Sequence, residues 1–374
     1  MKRTKTLSAM SFASYDVERR TRKGSFYAQV DTIIDWKPIS AIIDKHYQKG
    51  LSASGEKPYD GLLLFKMLLI GMWNNLSDVK VEEHVNDSLS AMKFCGMQLE
   101  DSVPSYSVLS RFRTELTEKK AFDLLLVKSI ISWKKHRIII HQGVKVDASI
   151  TQSSFHSKKP KTFEIAQDRK EDELPEEEVE KQEHFFKEVA EDGVDKEARW
   201  LKKGTKTYFG YKKQIAVDDN GLVLAVHTTA ANEHDSKGLI PLLEKLDNER
   251  IKEGVFTDKG YASKANREYL KGRKSKDRIQ HKAQRNKPLS KWERVFNKLI
   301  SKTRWVVERT FGSQKRWFGV GVTRLKGLAK VHTQHILEAI AYNLKRSPKM
   351  EILPAFLLKK GFKKGDLIKI VPKK

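Results

Sequence analysis

Ile138-Ile139-Ile140-His141-Gln142-Gly143-Val144-Lys145-Val146-Asp147 decides how this chain is read. Upstream of it, apolar residues recur three and four apart, as along one face of a helix. From about Ile138 they cluster or alternate, as along a strand. The run closes on a carboxylate, Asp147. A second run of the same kind, Gly254-Val255-Phe256-Thr257-Asp258, closes on another. A third acid, Glu308, lies in the helical stretch Arg304-Trp305-Val306-Val307-Glu308-Arg309-Thr310-Phe311-Gly312-Ser313-Gln314-Lys315. Taken singly, each has an ordinary reading: a strand-end turn or cap, or a solvated helix charge. Taken together, two strand-end carboxylates and one helical one can converge on a pair of divalent metal ions.

Composition narrows the chemistry. The 374 residues leave room for two domains and a substantial core. A net charge of +25 exceeds what solubility requires and favours a polyanionic partner. Carboxylates with metal in a basic protein point to phosphodiester chemistry on nucleic acid. The single cysteine, Cys95, excludes an internal disulfide and a cysteine-based zinc site, and fits a small core residue in a reducing cytosol. The most apolar stretch, Gly61–Trp73, is short and carries Lys66, so no membrane span is expected. The N-terminus does not read as a signal peptide.

The pattern predicts an α+β chain in four parts. Residues 1–24 form a basic arm. Residues 25–137 form a helical domain for DNA end binding or dimerisation. Residues 138–350 form a mixed-sheet domain, and 351–374 a basic tail that attracts DNA non-specifically. Within the helical part, Ser77-Asp78 and Pro104-Ser105 open helices, the second with Leu109, Phe112 and Leu116 on one face. Arg111 and Arg113 lie on that helix, which can enter a major groove or serve as a dimer interface. In the sheet part, strands are expected at Tyr208–Val217 and Leu222–Thr229, joined by an Asp218-Asp219-Asn220-Gly221 turn. Helices are expected at Asp235–Leu246, Lys264–Lys271, Lys291–Gly312 and Ile336–Lys345, with Asp235 capping the first and His234 as a turn residue or else a residue that assists the site.

A charged insertion at about 152–204 interrupts this order. Its segment 161–199 holds 15 Asp/Glu against 7 Lys/Arg, and Glu176–Ala190 reads as an exposed helix. It is a solvated helical hairpin, or else an acidic surface that repels DNA, mimics it or covers the site before assembly.

Along α-helical geometry Arg304, Glu308 and Lys315 fall within roughly 40° of one face. Arg304 can steer Glu308 or bind a phosphate. The bland alternative is a local ion pair. Of the two flanking tryptophans, Trp305 and Trp317, one can wedge into distorted base pairs, though core packing is the simpler role.

With these residues in view, the chain resembles the DDE transposases of bacterial insertion sequences, of the insertion sequence five group. The resemblance rests on Val146-Asp147-Ala148-Ser149, Phe209-Gly210-Tyr211-Lys212, Thr228–Asp235, Thr257-Asp258-Lys259-Gly260-Tyr261 and the Arg304, Glu308 and Lys315 signature, in order. In the helical part it extends over Tyr59–Met72 and Pro104–Arg113. Ser301 stands where the family signature has a tyrosine, a departure expected to affect DNA positioning rather than metal binding. The resemblance implies an RNase H-like catalytic domain with Asp147, Asp258 and Glu308 as catalytic and metal-binding residues for two Mg²⁺ ions, with Mn²⁺ as substitute. Mg²⁺ takes oxygen ligands and keeps several waters, so three carboxylates suffice. It further implies Lys259, Arg304 and Lys315 on DNA phosphates. The partners would be double-stranded DNA, as inverted repeats and target, and a second copy in a homodimer on DNA. The location would be the bacterial cytoplasm, at the nucleoid. The alternatives are a catalytically silent DNA-binding protein and a stand-alone RNase H-like nuclease.

Overall fold

The computed structural model describes residues 25–47, 58–135, 143–156, 163–165, 186–188 and 193–359. The N-terminal arm, the Ile138–Ile140 run, most of the charged insertion and residues 360–374 lie outside the described residues.

The described helices before the sheet are α1 (Phe26–Ile33), α2 (Lys37–His46), α3 (Gly61–Asn74), α4 (Asp78–Asp87), α5 (Leu89–Cys95), α6 (Tyr106–Glu118) and α7 (Ala121–Lys135). Helix α3 has no polar face because almost every side of it is buried. The Asp60 side chain caps its start and left-handed Asn75 closes it. Its one charge, Lys66, is satisfied inside the core by Asp31 at 3.0 Å and the Phe94 carbonyl at 2.8 Å. Among the described residues no single helix is long and apolar enough to cross a membrane.

The strands are β1 (Val144–Ser153), β2 (Phe163–Ile165), β3 (Phe186–Glu188), β4 (Arg199–Lys203), β5 (Lys206–Val217), β6 (Val223–Ala230), β7 (Val255–Thr257), β8 (Asp277–Ile279) and β9 (Val322–Thr323). Between and after them run α8 (Leu239–Glu244), α9 (Asn248–Lys252), α10 (Lys264–Gly272), α11 (Lys291–Phe318) and α12 (Leu328–Lys359). The main sheet runs β6-β5-β1-β7-β8. Strands β6, β5 and β1 pair antiparallel, and β7 and β8 follow parallel to β1. Strand β4 extends one end of β5, and β9 pairs with the end of β1. The β5–β6 turn is the expected one: Asp218 accepts from Leu222 N at 2.7 Å, and Gly221 takes a positive φ of 80°.

Three departures from the expected elements have local causes. Phe186–Glu188 is strand rather than helix, because its backbone pairs antiparallel with Phe163–Ile165. The remainder of the expected Glu176–Ala190 helix lies outside the described residues. Helix α11 passes through Gly312 and ends at left-handed Gly319. Helix α12 is far longer than Ile336–Lys345. Its polar residues are buried and bonded rather than solvated: Asn343 accepts from Val223 N and donates to Val223 O, and Thr333 bonds Thr117.

Helix α12 joins the two parts. The Trp73 indole N–H of α3 donates to the Ala341 carbonyl at 2.9 Å, and His335 bonds Thr151 of β1 and Thr228 of β6. One hydrophobic core runs from Val30 to Leu344. The change near residue 137 is thus a change of secondary structure within a continuous core.

Gly210 shows why the Phe209-Gly210-Tyr211 segment tolerates no side chain. At φ 156° a Cβ would stand 2.2 Å from the Thr151 carbonyl of β1. Gly210→Ala is therefore expected to lower stability by on the order of 2–4 kcal/mol, read as a denaturation midpoint. A loss below about 0.5 kcal/mol would refute the close approach.

Candidate active site

Asp147 sits in β1, the central strand, where buried Val144 and Val146 fix the register that brings its side chain to the site. One carboxylate oxygen accepts from Ala148 N at 2.9 Å, and the other meets Arg304 of α11 at 3.1 Å. Burial is the largest influence on its proton affinity and raises it. Arg304 and the Ala148 N–H oppose burial, and the charges of Asp258 and Glu308 add to it, bringing the pKa to about 6 from 3.8. The charges of both other expected acids thus reach Asp147.

The sign of this shift gives a test. A folded-state pKa above the unfolded value stabilises the fold below about pH 4, and that contribution is lost as pH rises through about 6. In chelator, the stability difference between wild type and Asp147→Asn is expected to change by on the order of 2–3 kcal/mol between pH 4 and 7, and to be flat above pH 7. Thermal unfolding across this range measures it. Parallel curves would show that Asp147 has an ordinary carboxyl.

Asp258 follows β7 and caps the 3-10 turn Lys259–Tyr261, its Oδ1 accepting from Gly260 N at 2.8 Å. Glu308 is exposed on α11, while Val306, Val307, Phe311 and Phe318 of the same helix are buried. Lys259 and Lys315 are exposed. Arg304 is 7% exposed and engaged with Asp147 rather than with Glu308, so it faces the acids and not open solvent. At the departure position, Ser301 Oγ accepts from Gln280 Nε2 at 2.7 Å.

The expected DNA contacts in the helical part separate. Arg111 is exposed, whereas Arg113 makes a bidentate pair with Asp78 at 2.7 and 2.8 Å, tying α6 to the start of α4. Of the two tryptophans, Trp317 stacks on Tyr342 with centroids 5.7 Å apart, and Trp305 is 49% exposed with Arg309 over its ring. Cys95 is buried.

The structure reassigns His234 and Asp235 and adds Lys212 and Tyr261 beside the site. His234, not Asp235, caps the turn after β6 by accepting from Ser236 N. Asp235 instead pairs with buried Lys212 at 2.8 Å, and a Cβ placed on Gly260 would lie 3.4 Å from its Oδ2 and 3.0 Å from Asp258 Oδ1. A fourth carboxylate thus borders the site. Tyr261 is fully buried, and its hydroxyl has no hydrogen-bond partner among the described residues. Burial above all, then the charges of Asp147, Asp235 and Asp258, hold its phenol well above its ordinary pKa against the pull of Arg304. The legible signal was Lys212-Lys213 in the middle of an otherwise apolar strand, since buried ammonium groups require acidic partners.

Among the described residues no three His, Cys, Asp or Glu side chains are close enough to hold a metal ion as they stand. The donor set still suits a hard divalent cation: all its ligating atoms are oxygens, and Asp258 and Glu308 both disfavour ionised Asp147. Arg304 supplies the positive charge that offsets that repulsion here.

Residues 160–344 match the family model described as "Transposase DDE domain", and residues 15–115 match "Transposase domain (DUF772)". The chain belongs to the DDE transposases of bacterial insertion sequences. A transposase for insertion sequence element IS1106 from Neisseria meningitidis serogroup B is 40% identical over 161 residues, 43% of this chain and 55% of that relative. The chain thus spans about half the length of this curated relative. No solved structure matches the chain. The catalytic-domain match includes Asp258 and Glu308, whereas Asp147 precedes it.

Proposed function

We propose that this transposase binds the ends of its element, cleaves their phosphodiester bonds and joins the freed 3′-hydroxyls to target DNA, with Asp147, Asp258 and Glu308 as the catalytic acids. The arrangement that carries this reading is Asp147 of β1 held by Arg304 of the helix that bears Glu308, with Asp258 at the end of the neighbouring parallel strand β7. The strand order β6-β5-β1-β7-β8, three antiparallel strands followed by two parallel ones, supports an RNase H-like catalytic domain.

Water is the first nucleophile. Its attack on the scissile phosphorus expels a 3′-hydroxyl, and that hydroxyl then attacks a target phosphodiester, exchanging one ester bond for another. The three acids would hold divalent metal, Mg²⁺ or Mn²⁺, which when bound lowers the pKa of water and offsets charge on the departing oxygen. Arg304 balances Asp147 until then and keeps it aligned with α11. Exposed Lys259 and Lys315 hold backbone phosphates beside the acids, so affinity falls steeply with salt. Since two ends are cut together, the active form on DNA is a homodimer.

The test is cleavage of labelled element-end duplex by the wild type, with Mg²⁺, with Mn²⁺ and with chelator. Nicked and joined products in either metal, absent in chelator, are expected. Hydrolysis without joining would indicate a stand-alone nuclease. Binding with no cleavage in either metal would overturn the catalytic reading and leave a DNA-binding protein.

A further inference from the structure

The first third of α11 lies outside the core. Downstream, from Ile300, the helix buries one face. Upstream, Trp292 is 64% exposed, Val295 59% and Leu299 57%. At 100° per residue these three fall within roughly 60° of one another. The ring of Trp292 is nevertheless held in place. It stacks on Phe296 with centroids 5.2 Å apart and planes 20° apart, and His281 abuts both rings at 5.6 and 5.2 Å. His281 is itself fixed by two bonds to the Asn297 side chain, at 2.8 and 3.0 Å. A large flat apolar surface is thus presented to solvent on a rigid mount.

Beside it runs a second stripe. Lys291, Lys298 and Lys302 fall within roughly 40° of one another and next to the apolar stripe. All three are exposed, and none pairs with an acidic side chain among the described residues. Residues 281–302 hold seven Lys/Arg, all exposed, against one acid, Glu293. Two copies meeting on this face would oppose cation to cation. A polyanion with flat apolar groups would match both stripes.

We propose that this half of α11 is a docking track for unpaired DNA, in which bases stack on Trp292 while Lys291, Lys298 and Lys302 hold the phosphates. A positive groove set with aromatic platforms is the general solution for binding single strands, because every base has a π-face. Trp292 lies 16 residues before Glu308 on the same helix, about 24 Å along its axis and roughly 160° around it. At about 3.4 Å per nucleotide, a strand that follows the helix and crosses to its other side needs at least roughly seven nucleotides between the stacked base and the acids. The track would thus take the strand parted from its complement near the cut. This inference rests on the DNA-cutting reading of the acids.

The experiment compares binding of the full chain to a blunt duplex and to the same duplex with an unpaired tail of about seven nucleotides. Binding is followed by anisotropy across a salt series without metal. Wild type is expected to prefer the tailed duplex by about fivefold to a hundredfold, and Trp292→Ala to erase that preference. Lys291→Gln/Lys298→Gln/Lys302→Gln is expected to lower the slope of log affinity against log salt by about 2. The exposure of these positions leaves folding intact, checked by circular dichroism. Equal affinity of wild type for both duplexes would overturn the proposal, as would a preference retained by Trp292→Ala. Sedimentation showing that Trp292→Ala dissociates a dimer, with its tail preference unchanged, would assign the face to a second copy instead. Failure of wild type to cleave element ends would sink the catalytic reading and leave these binding results to stand or fall separately.

Discussion

Asp147→Asn is expected to abolish both cleavage and joining, by at least about a thousandfold, while element-end binding stays within about twofold of wild type. Asparagine keeps the shape and the bond from Ala148 N but loses the charge that would hold a cation. It also releases Arg304, buried at 7% exposure, from its ion pair. Arg304→Gln therefore serves as a companion variant. If Asp147 acts as a metal ligand, Arg304→Gln retains cleavage and alters its metal requirement, because the competing cation is gone. If the ion pair matters only for the fold, both variants lower the unfolding midpoint alike, and activity follows stability. The readouts are product yield on labelled ends, binding by anisotropy, and the midpoint of thermal unfolding. Full activity in Asp147→Asn would remove this residue from the catalytic set.

The largest stability effect is expected at Lys213 and Glu338. Their side chains are 3% and 0% exposed and meet at 2.7 Å, joining β5 to α12. Lys213 also donates to Gln314 of α11 at 2.7 Å, and Glu338 accepts from Gln334 at 2.8 Å. Burial lowers the Lys213 pKa, the Glu338 charge and hydrogen bond raise it, and nearby Lys315 lowers it again. Removing either partner strands a buried charge. Glu338→Leu or Lys213→Met alone is expected to cost about 3–5 kcal/mol and to lower the melting temperature by on the order of 10 °C. The double variant is expected to recover most of the loss, because no charge is then left alone. A double variant as unstable as the sum of the singles would mean that packing, not charge, holds the site. Gln314 lies on the helix that carries Glu308, so the singles are also expected to weaken cleavage at temperatures where the fold persists.

What the sequence made legible was whatever depends on local pattern. Alternating Val144 and Val146 gave β1, and an apolar run closing on an acid gave both β7 and Asp258. The Asp218–Gly221 turn was readable from its own residues. Tertiary pairing was not. The i,i+4 rule offers Glu308 as the partner of Arg304, but the fold brings in Asp147 from a distant strand. Asp235 reads as a helix cap, and His234 takes that bond while Asp235 turns to Lys212. Helix α12 was under-read at its start because Thr333 and His335, just before Ile336, break its apolar period. Both are buried and bonded across the core, which no window along the chain can register. Segment 186–188 was misread for the same reason, since its strand exists only against Phe163–Ile165.

The place of α12 has a consequence for how the protein comes into being. By the time the ribosome has passed residue 308, all three acids have been synthesised. The helix that locks β1, β5 and β6 to α3 begins only at Leu328. Contacts such as Trp73–Ala341 and Thr151–His335 close very long loops, so assembly is slow and comes after synthesis. A chain stopped before Leu328 thus carries all three carboxylates, and the strand and helix that pair Asp147 with Arg304, but lacks the helix that ties the sheet to α3. The tie between the two parts can form only once that helix has been made.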